Sequence, residues 1–114
     1  MATHIRSPPK NAFGKYVLNE EGNPVPEPDY LIWERWFEND EDCVLKQATL
    51  PGDVLVSTMF LGLDQNFRGH GPPILWETLI FGGLHDGYCE RYASREAALA
   101  GHQTALKLAR DAYH

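Results

Sequence analysis

The sequence is poor in cysteine and has no long apolar segment. Its two cysteines, Cys43 and Cys89, form no C-x-x-C motif and are too few for a disulfide framework, so both are expected to be reduced, buried thiols. No apolar run approaches the roughly 18 residues that suggest a membrane-spanning helix. No signal-peptide pattern is present either. A soluble protein of the cytoplasm, with no membrane association, is therefore expected.

Positive charge is also scarce. Ten Lys and Arg residues stand against sixteen Asp and Glu residues, which gives a formal net charge of −6. Such a chain repels phosphate backbones on average, so direct nucleic-acid binding is disfavoured. The longest acidic run is Glu-Asn-Asp-Glu-Asp at residues 38–42. A solvated loop is the first interpretation of this run, and a nucleic-acid mimic or a docking patch for a basic partner is the second.

Motifs of known catalytic mechanism are missing as well. The sequence has no G-x-G-x-x-G, Walker, H-E-x-x-H or G-x-S-x-G pattern. Its five histidines, at positions 4, 70, 85, 102 and 114, do not have the spacing of metal ligands. The sequence thus favours a non-enzymatic protein and assigns no catalytic residue, no cofactor and no metal.

What is present suffices for one globular domain. The chain has 114 residues, of which 43% are hydrophobic, enough for one core and too few for two. Residues 1–14 contain Pro8-Pro9 and lack periodicity, which predicts an irregular N-terminal arm. Residues 15–114 are predicted to form a single α+β domain.

The start of this domain predicts a small hairpin and then a short helix. Residues 16–18 and 24–26 flank a turn cluster, and the prolines of the second arm confine it to a sheet edge. Asp29 is a helix N-cap, and an aromatic stripe follows at helical spacing over residues 29–38. The stripe consists of Tyr30, Trp33 and Phe37, with Trp36 beside them. Core packing is its first interpretation, and a stacking platform for a ligand or base is its second.

The rest of the domain predicts an antiparallel meander of about four strands, closed by a long helix. The strand-like runs are residues 43–50, 54–63, 74–81 and 88–92. Ser94 caps a helix over 95–113 that packs on the sheet. The apolar face of this helix consists of Leu99, His102, Leu106, Ala109 and Tyr113. Gly101 costs a helix about 1 kcal/mol relative to Ala, so its presence indicates close helix–sheet packing.

The loop at residues 64–73 is the first candidate site. It is longer than a hairpin needs, it carries several polar side chains, and Pro72-Pro73 stiffens it. A tolerated surface loop is the alternative. The residues expected to contact a ligand or partner are Asp64, Asn66, Phe67, Arg68 and His70, together with Trp76 on the following strand.

Two further polar residues lie on faces that are otherwise apolar. Glu77 alternates with Leu79 and Phe81 on a predicted strand, and Arg91 on the neighbouring strand is its natural partner. A structural ion pair is the first interpretation of Glu77, and a catalytic or ligand-binding carboxylate is the second. His102 lies on the apolar face of the last helix, either as a satisfied core histidine or as a general base.

Several segments together carry a family resemblance. They are Val-Ser-Thr-Met-Phe-Leu-Gly-Leu-Asp-Gln-Asn-Phe at 56–67, Gly-Pro-Pro-Ile-Leu-Trp-Glu-Thr-Leu-Ile-Phe-Gly-Gly at 71–83, Arg-Tyr-Ala-Ser at 91–94 and Ala-Gly-His at 100–102. In these the chain resembles a family of small uncharacterised proteins of bacteriophages and prophages, over about residues 29–110. The resemblance implies a phage setting and no established activity. The family pattern often has His where this chain has Gln65.

These observations together predict a non-enzymatic phage accessory protein. It would bind and sequester or inhibit a host-derived partner in the host cytoplasm, as in counter-defence, and the partner would be a nucleotide-like signal or a host defence protein. One alternative is a small hydrolase or transferase that uses Glu77 and His102 as acid and base. Another is a structural or assembly protein of the virion. Homo-oligomerisation is left open.

Overall fold

The computed structural model describes residues 14–39 and 43–112, which form an α+β fold. Its elements in chain order are β1 (Tyr16–Leu18), β2 (Pro24–Pro26), α1 (Tyr30–Asn39), β3 (Val44–Leu50), β4 (Val54–Phe60), β5 (Trp76–Phe81), β6 (Cys89–Tyr92) and α2 (Arg95–Asp111). Most of the predicted N-terminal arm, the acidic positions 40–42 and Tyr113 lie outside the described residues. No described helix combines the length and apolar character needed to cross a bilayer.

The main sheet is a four-stranded antiparallel meander in the order β3-β4-β5-β6, as predicted. Short connections favour this arrangement, because each strand can fold back directly on its predecessor. Residues of β4 and β5 alternate between two faces of the sheet. Val54, Val56 and Ile80 lie on the face that α2 covers, where they form a buried cluster with small residues of the helix. Glu77 and Leu79 lie on the opposite face of the same strands.

A second, two-stranded sheet is the predicted hairpin. In it β1 pairs with β2 in antiparallel fashion, and β2 with its two prolines is the edge strand. The other edge of β1 pairs with the residues that follow β4. Tyr16 N–H donates to Gly62 O at 2.8 Å, and Asp64 N–H donates to Gly14 O at 2.9 Å. Because residues 62–64 pair with the β1 segment, β4 ends at Phe60 rather than at the predicted Leu63. Gly62 has the left-handed φ of +72° that such a break favours.

Helix α1 begins where the sequence predicts. The Asp29 carboxylate accepts hydrogen bonds from Leu31 N–H at 2.9 Å and Ile32 N–H at 3.3 Å, so it satisfies donors of the first turn. Trp36 and Phe37 pack against the sheet, as the first interpretation of the aromatic stripe expected, but Tyr30 is 56% exposed. The rings of Trp36 and Phe60 are 5.9 Å apart and almost perpendicular, and those of Phe37 and Phe60 are stacked at 6.1 Å. No residue of α1 is fully buried, however.

Helix α2 also begins as predicted, because Ser94 Oγ accepts a hydrogen bond from Ala97 N–H at 3.1 Å. Its buried face is turned slightly from the predicted one. His102, Leu106 and Ala109 are buried, but Leu99 is only half-buried. Ala98 and Ala105 lie on the face instead, since small residues allow the helix backbone to approach the sheet closely.

Gly101 is the point of closest approach, as its presence indicated. A Cβ added there would lie 2.1 Å from the Tyr92 hydroxyl and 2.3 Å from the ring carbon that carries it.

We predict that Gly101→Ala destabilises the protein by about 1–3 kcal/mol, because the overlap with an aromatic ring outweighs the gain of about 1 kcal/mol in helix propensity. Chemical denaturation monitored by circular dichroism measures this difference. Gln103→Ala, an exposed site on the same helix, is the matched control and should be near neutral. A stabilised Gly101→Ala variant would contradict the close packing.

Candidate functional site

Loop 64–73 joins β4 to β5, and the Asp64 carboxylate closes its base. Asp64 Oδ1 accepts hydrogen bonds from Asn66 N–H at 2.7 Å and from Ile74 N–H at 3.0 Å. The two ends of the loop are therefore held by one side chain. Just below, Leu61 N–H donates to Leu75 O at 2.6 Å, which continues the ladder of the sheet to the loop.

The Asn66 side chain holds the interior of the loop. It is 5% exposed. Its Nδ2 donates to His70 O and to Pro72 O, both at 2.9 Å, and its Oδ1 accepts from Arg68 N–H at 3.1 Å. One amide thus satisfies three backbone groups, which fixes the loop conformation. The structure gives Asp64 and Asn66 a role inside the loop, and their predicted contact with a partner stays a prediction.

The remaining predicted loop residues lie on its surface. The Phe67 side chain is 85% exposed, and Arg68 and His70 are exposed beside it. Gly69 and Gly71 have φ values of +81° and +85°, so the chain can turn tightly after the aromatic residue. An aromatic ring and a guanidinium are therefore displayed together at the tip of a loop that its own hydrogen bonds hold in shape.

Trp76, the second aromatic residue predicted to stack on a ligand, lies elsewhere. It is 3% exposed, in the core cluster, with its ring centroid 5.6 Å from that of Phe60. It lines a cleft of about 300 Å³ between the β1–β2 turn, the start of β3 and the start of α2. No residue of loop 64–73 lines this cleft, so the structure does not unite Trp76 with the loop tip.

Glu77 forms the predicted ion pair with Arg91. The two residues face each other in the β5–β6 register, and Arg91 Nε lies 2.8 Å from Glu77 Oε2. Cys89 was expected to be buried, but it is exposed on the edge strand β6, and Cys43 is half-buried. Cys89 Sγ also donates to Glu77 Oε2, at 3.4 Å. Burial first, and then the bond to Glu77, raise the pKa of the Cys89 thiol. A raised pKa keeps this thiol protonated, which is the opposite of what a nucleophilic cysteine needs.

His102 lies on the other face of the sheet, in a buried chain of hydroxyl groups. Its Nδ1 is 2.7 Å from Thr58 Oγ1, which is 2.6 Å from Thr78 Oγ1. The buried Tyr92 hydroxyl lies near Thr78. Among the described residues, this hydroxyl has no hydrogen-bond partner of standard geometry. Burial raises the pKa of Tyr92, and the approach of Thr78 moderates this rise. His102 is thus a core histidine with a hydrogen-bond partner, the first of its two interpretations.

The predicted acid and base are separated by the sheet. Glu77 and Thr78 are neighbours in β5, so their side chains point to opposite faces. Thr78 belongs to the hydroxyl chain of His102, and Glu77 therefore lies on the far side. Moreover, no cluster of three or more His, Cys, Asp or Glu side chains within residues 14–39 and 43–112 could hold a metal ion.

Sequence reasoning missed Thr58, Thr78 and Arg95. The two threonines alternate with apolar residues that face α2, which is the pattern that could have placed them in the core beside His102. Arg95 lines the cleft that also contains Trp76, together with the turn residues Glu20 and Glu21. No local sequence pattern predicts this cleft, because its acidic residues and Arg95 are about 75 residues apart in the chain.

Comparison of the chain with models of known protein families, with curated proteins and with solved structures finds no match.

The buried position of His102 predicts a pH dependence of stability. Burial, and then the positive charge of Lys46, lower the pKa of His102 in the folded state. The unfolded chain therefore binds a proton at a higher pH than the folded chain. Stability should be lost as the pH falls below about 6.5, the ordinary pKa of histidine, toward the lowered folded-state value. Urea unfolding between pH 7.5 and pH 5 measures this loss.

His102→Gln should reduce this dependence on pH, whereas Gln103→Ala, at an exposed position of the same helix, should leave it unchanged. Equal slopes in the wild type and in His102→Gln would show that His102 is not responsible.

The ion pair predicts an energetic coupling between Glu77 and Arg91. Truncating either residue alone leaves the other charge without its partner, so the Glu77→Gln and Arg91→Gln losses should not add in the double variant. Urea unfolding of the four proteins gives the coupling. Additive losses would remove the ion pair from the account of stability.

Proposed function

We propose that this protein is a non-enzymatic binding protein that docks on a protein partner through the tip of loop 64–73. The observation that carries the proposal is the 85% exposure of Phe67 on a loop whose shape is fixed by Asp64 and Asn66. Aromatic side chains are depleted from ordinary surfaces relative to binding interfaces, where they serve as anchors. Arg68 beside it adds the other residue type that dominates binding hot spots.

A fixed loop supports binding because it limits the entropy lost on association. The partner meets Phe67 in a conformation that the loop already holds. The Asn66 side chain already bonds to three backbone groups of the loop, so these groups are not available to bond to a partner. In this proposal Phe67 is the apolar anchor, and Arg68 and His70 are polar contacts at its rim.

A protein partner fits this site better than a nucleotide-like signal does. Small-molecule sites are concave, and no residue of loop 64–73 lines the cleft beside Trp76 or the small cavity beside Ile80. Trp76 lines a cleft, but it shares that cleft with Glu20 and Glu21, whose carboxylates repel phosphate. The net charge of −6 opposes a polyanion as well.

Catalysis has less support. A catalytic site needs a nucleophile or base that a neighbour orients in a cleft. Glu77 is paired with Arg91, His102 is bonded to Thr58, and the sheet lies between these two pairs. The raised pKa of Cys89 disfavours a thiolate.

The resemblance to proteins of bacteriophages and prophages suggests the setting. We propose that the partner is a host protein and that the complex forms in the host cytoplasm, with inhibition of a host defence protein as its most concrete form. A role in virion assembly would use the same loop on a different partner. The two differ in outcome, because only the first protects a phage from host defences.

We predict that Phe67→Ala and Arg68→Ala each abolish most of the protection that the wild-type protein gives a phage against its host's defences. Loss of a hot-spot side chain costs about 2 kcal/mol or more, or roughly a thirtyfold loss of affinity. Efficiency of plating on the defended host is the measurement, after a thermal melt has shown that each variant folds.

Leu84→Ala is the matched control. Leu84 is 78% exposed, in the connection at the far end of β5 from the loop, and its loss should leave protection intact. Full protection by both folded loop variants would contradict the loop as the binding site. A wild-type protein that protects no phage would contradict the counter-defence role.

A further inference from the structure

The cleft that contains Trp76, here called the hairpin cleft, has walls of opposite charge. The β1–β2 turn contributes Glu20 and Glu21 to one wall, and Arg95 at the start of α2 lines the cleft as well. The cleft measures about 300 Å³. Ligand pockets begin at about this size, so the hairpin cleft would take one small molecule rather than a nucleotide or a peptide.

The floor of the hairpin cleft is apolar and rigid. Phe60 and Trp76 lie beneath it with only 1% and 3% of their surface exposed, so the core fixes both rings and they support the floor from below. Leu18 and Leu45, which are half-buried, extend this floor. A ligand in the cleft therefore meets hydrophobic surface below and charged groups around it.

The turn that carries the acidic wall is held in place by its own hydrogen bonds. Asn19 Oδ1 accepts from Glu21 N–H at 3.0 Å and from Asn23 N–H at 2.9 Å. Asn19 O accepts from Gly22 N–H at 2.9 Å. Gly22 has a left-handed φ of +80°, which lets the turn close. The two carboxylates thus have a fixed backbone beneath them.

The opposite charges of the cleft do not neutralise each other. Among the described residues, the ion pair whose nitrogen and oxygen atoms lie within 4.0 Å is Arg91–Glu77, on the sheet face away from α2. Glu20, Glu21 and Arg95 line one space without pairing across it. The cleft therefore offers an unpaired cationic group and unpaired anionic groups to the same ligand.

We propose that the hairpin cleft binds a small zwitterion with an apolar side chain, such as a free α-amino acid. Its carboxylate would face Arg95, and its ammonium group would face Glu20 and Glu21. Its side chain would lie on the apolar floor, where Leu18 and Leu45 are accessible above the buried Phe60 and Trp76 rings. A simple anion would meet the two carboxylates without compensation, and a simple cation would meet the guanidinium. Only a molecule with both charges matches both groups.

This site is separate from loop 64–73 and does not depend on the proposed function of the loop. The charged groups of the cleft are exposed to water, so binding should weaken as ionic strength rises.

The test is a titration of the ¹⁵N-labelled protein with L-phenylalanine and L-leucine, followed by amide chemical shifts. Shifts should concentrate at residues 19–22, at Leu45 and at Arg95, and loop 64–73 should be unaffected. Two analogues of phenylalanine isolate the charges: 3-phenylpropionate lacks the ammonium group, and 2-phenylethylamine lacks the carboxylate. Each should bind about tenfold more weakly or worse, since it lacks one of the two charges that the cleft would match.

Variants test the residues. Arg95→Gln and the double variant Glu20→Gln/Glu21→Gln should each weaken amino-acid binding about tenfold on the same reasoning. Arg110→Gln, at the far end of the same helix, is the control and should bind like the wild type. Arg95 lies at the positive end of the helix dipole, so its removal should not destabilise α2.

The proposal is overturned if neither amino acid shifts the cleft resonances. It is also overturned if either singly charged analogue binds as tightly as phenylalanine, or if Arg95→Gln binds as well as Arg110→Gln.

Discussion

The antiparallel pairing of β4 with β5 is the constraint on which the rest of the structure depends. It places alternate residues of each strand on opposite faces, so Thr58 and Thr78 meet beneath α2 while Met59 and Glu77 meet on the other side. It also puts the β4–β5 connection, loop 64–73, at one end of the sheet. The polar chain to His102 and the position of the exposed loop both follow from this register. The β5–β6 register then places Arg91 opposite Glu77. A slip by one residue would exchange the two faces.

The sequence predicted the features that local chemistry determines. Asp29 and Ser94 cap helices because their side chains bond to nearby backbone, and Glu77 pairs with Arg91 because period-two alternation places them on one face. It did not predict contacts between distant segments. The end of β4 at Phe60 depends on pairing with β1, and the hairpin cleft depends on where the β1–β2 turn meets α2.

The sequence predicted only part of the candidate site, because the roles of the loop residues depend on the path of the folded chain. Composition located loop 64–73, but it could not show that Asp64 and Asn66 would bond to backbone while Phe67 and Arg68 would not. That division depends on the path of the chain through Gly69 and Gly71. The same polar residue types serve as internal braces or as contacts, and only the folded loop distinguishes the two uses. The proposed partner surface is therefore smaller than the predicted one.

The central claim is that the free protein already holds loop 64–73 in its binding conformation. Amide hydrogen exchange, followed by NMR, tests it most directly. The amides of Asn66, Arg68 and Ile74 donate to side-chain oxygens of the loop, so they should exchange about tenfold or more slowly than in an unstructured peptide. Replacement of Asn66 by Ala should release the Arg68 amide. Exchange of all three at the unstructured rate would show that the loop is not fixed, and would contradict the account.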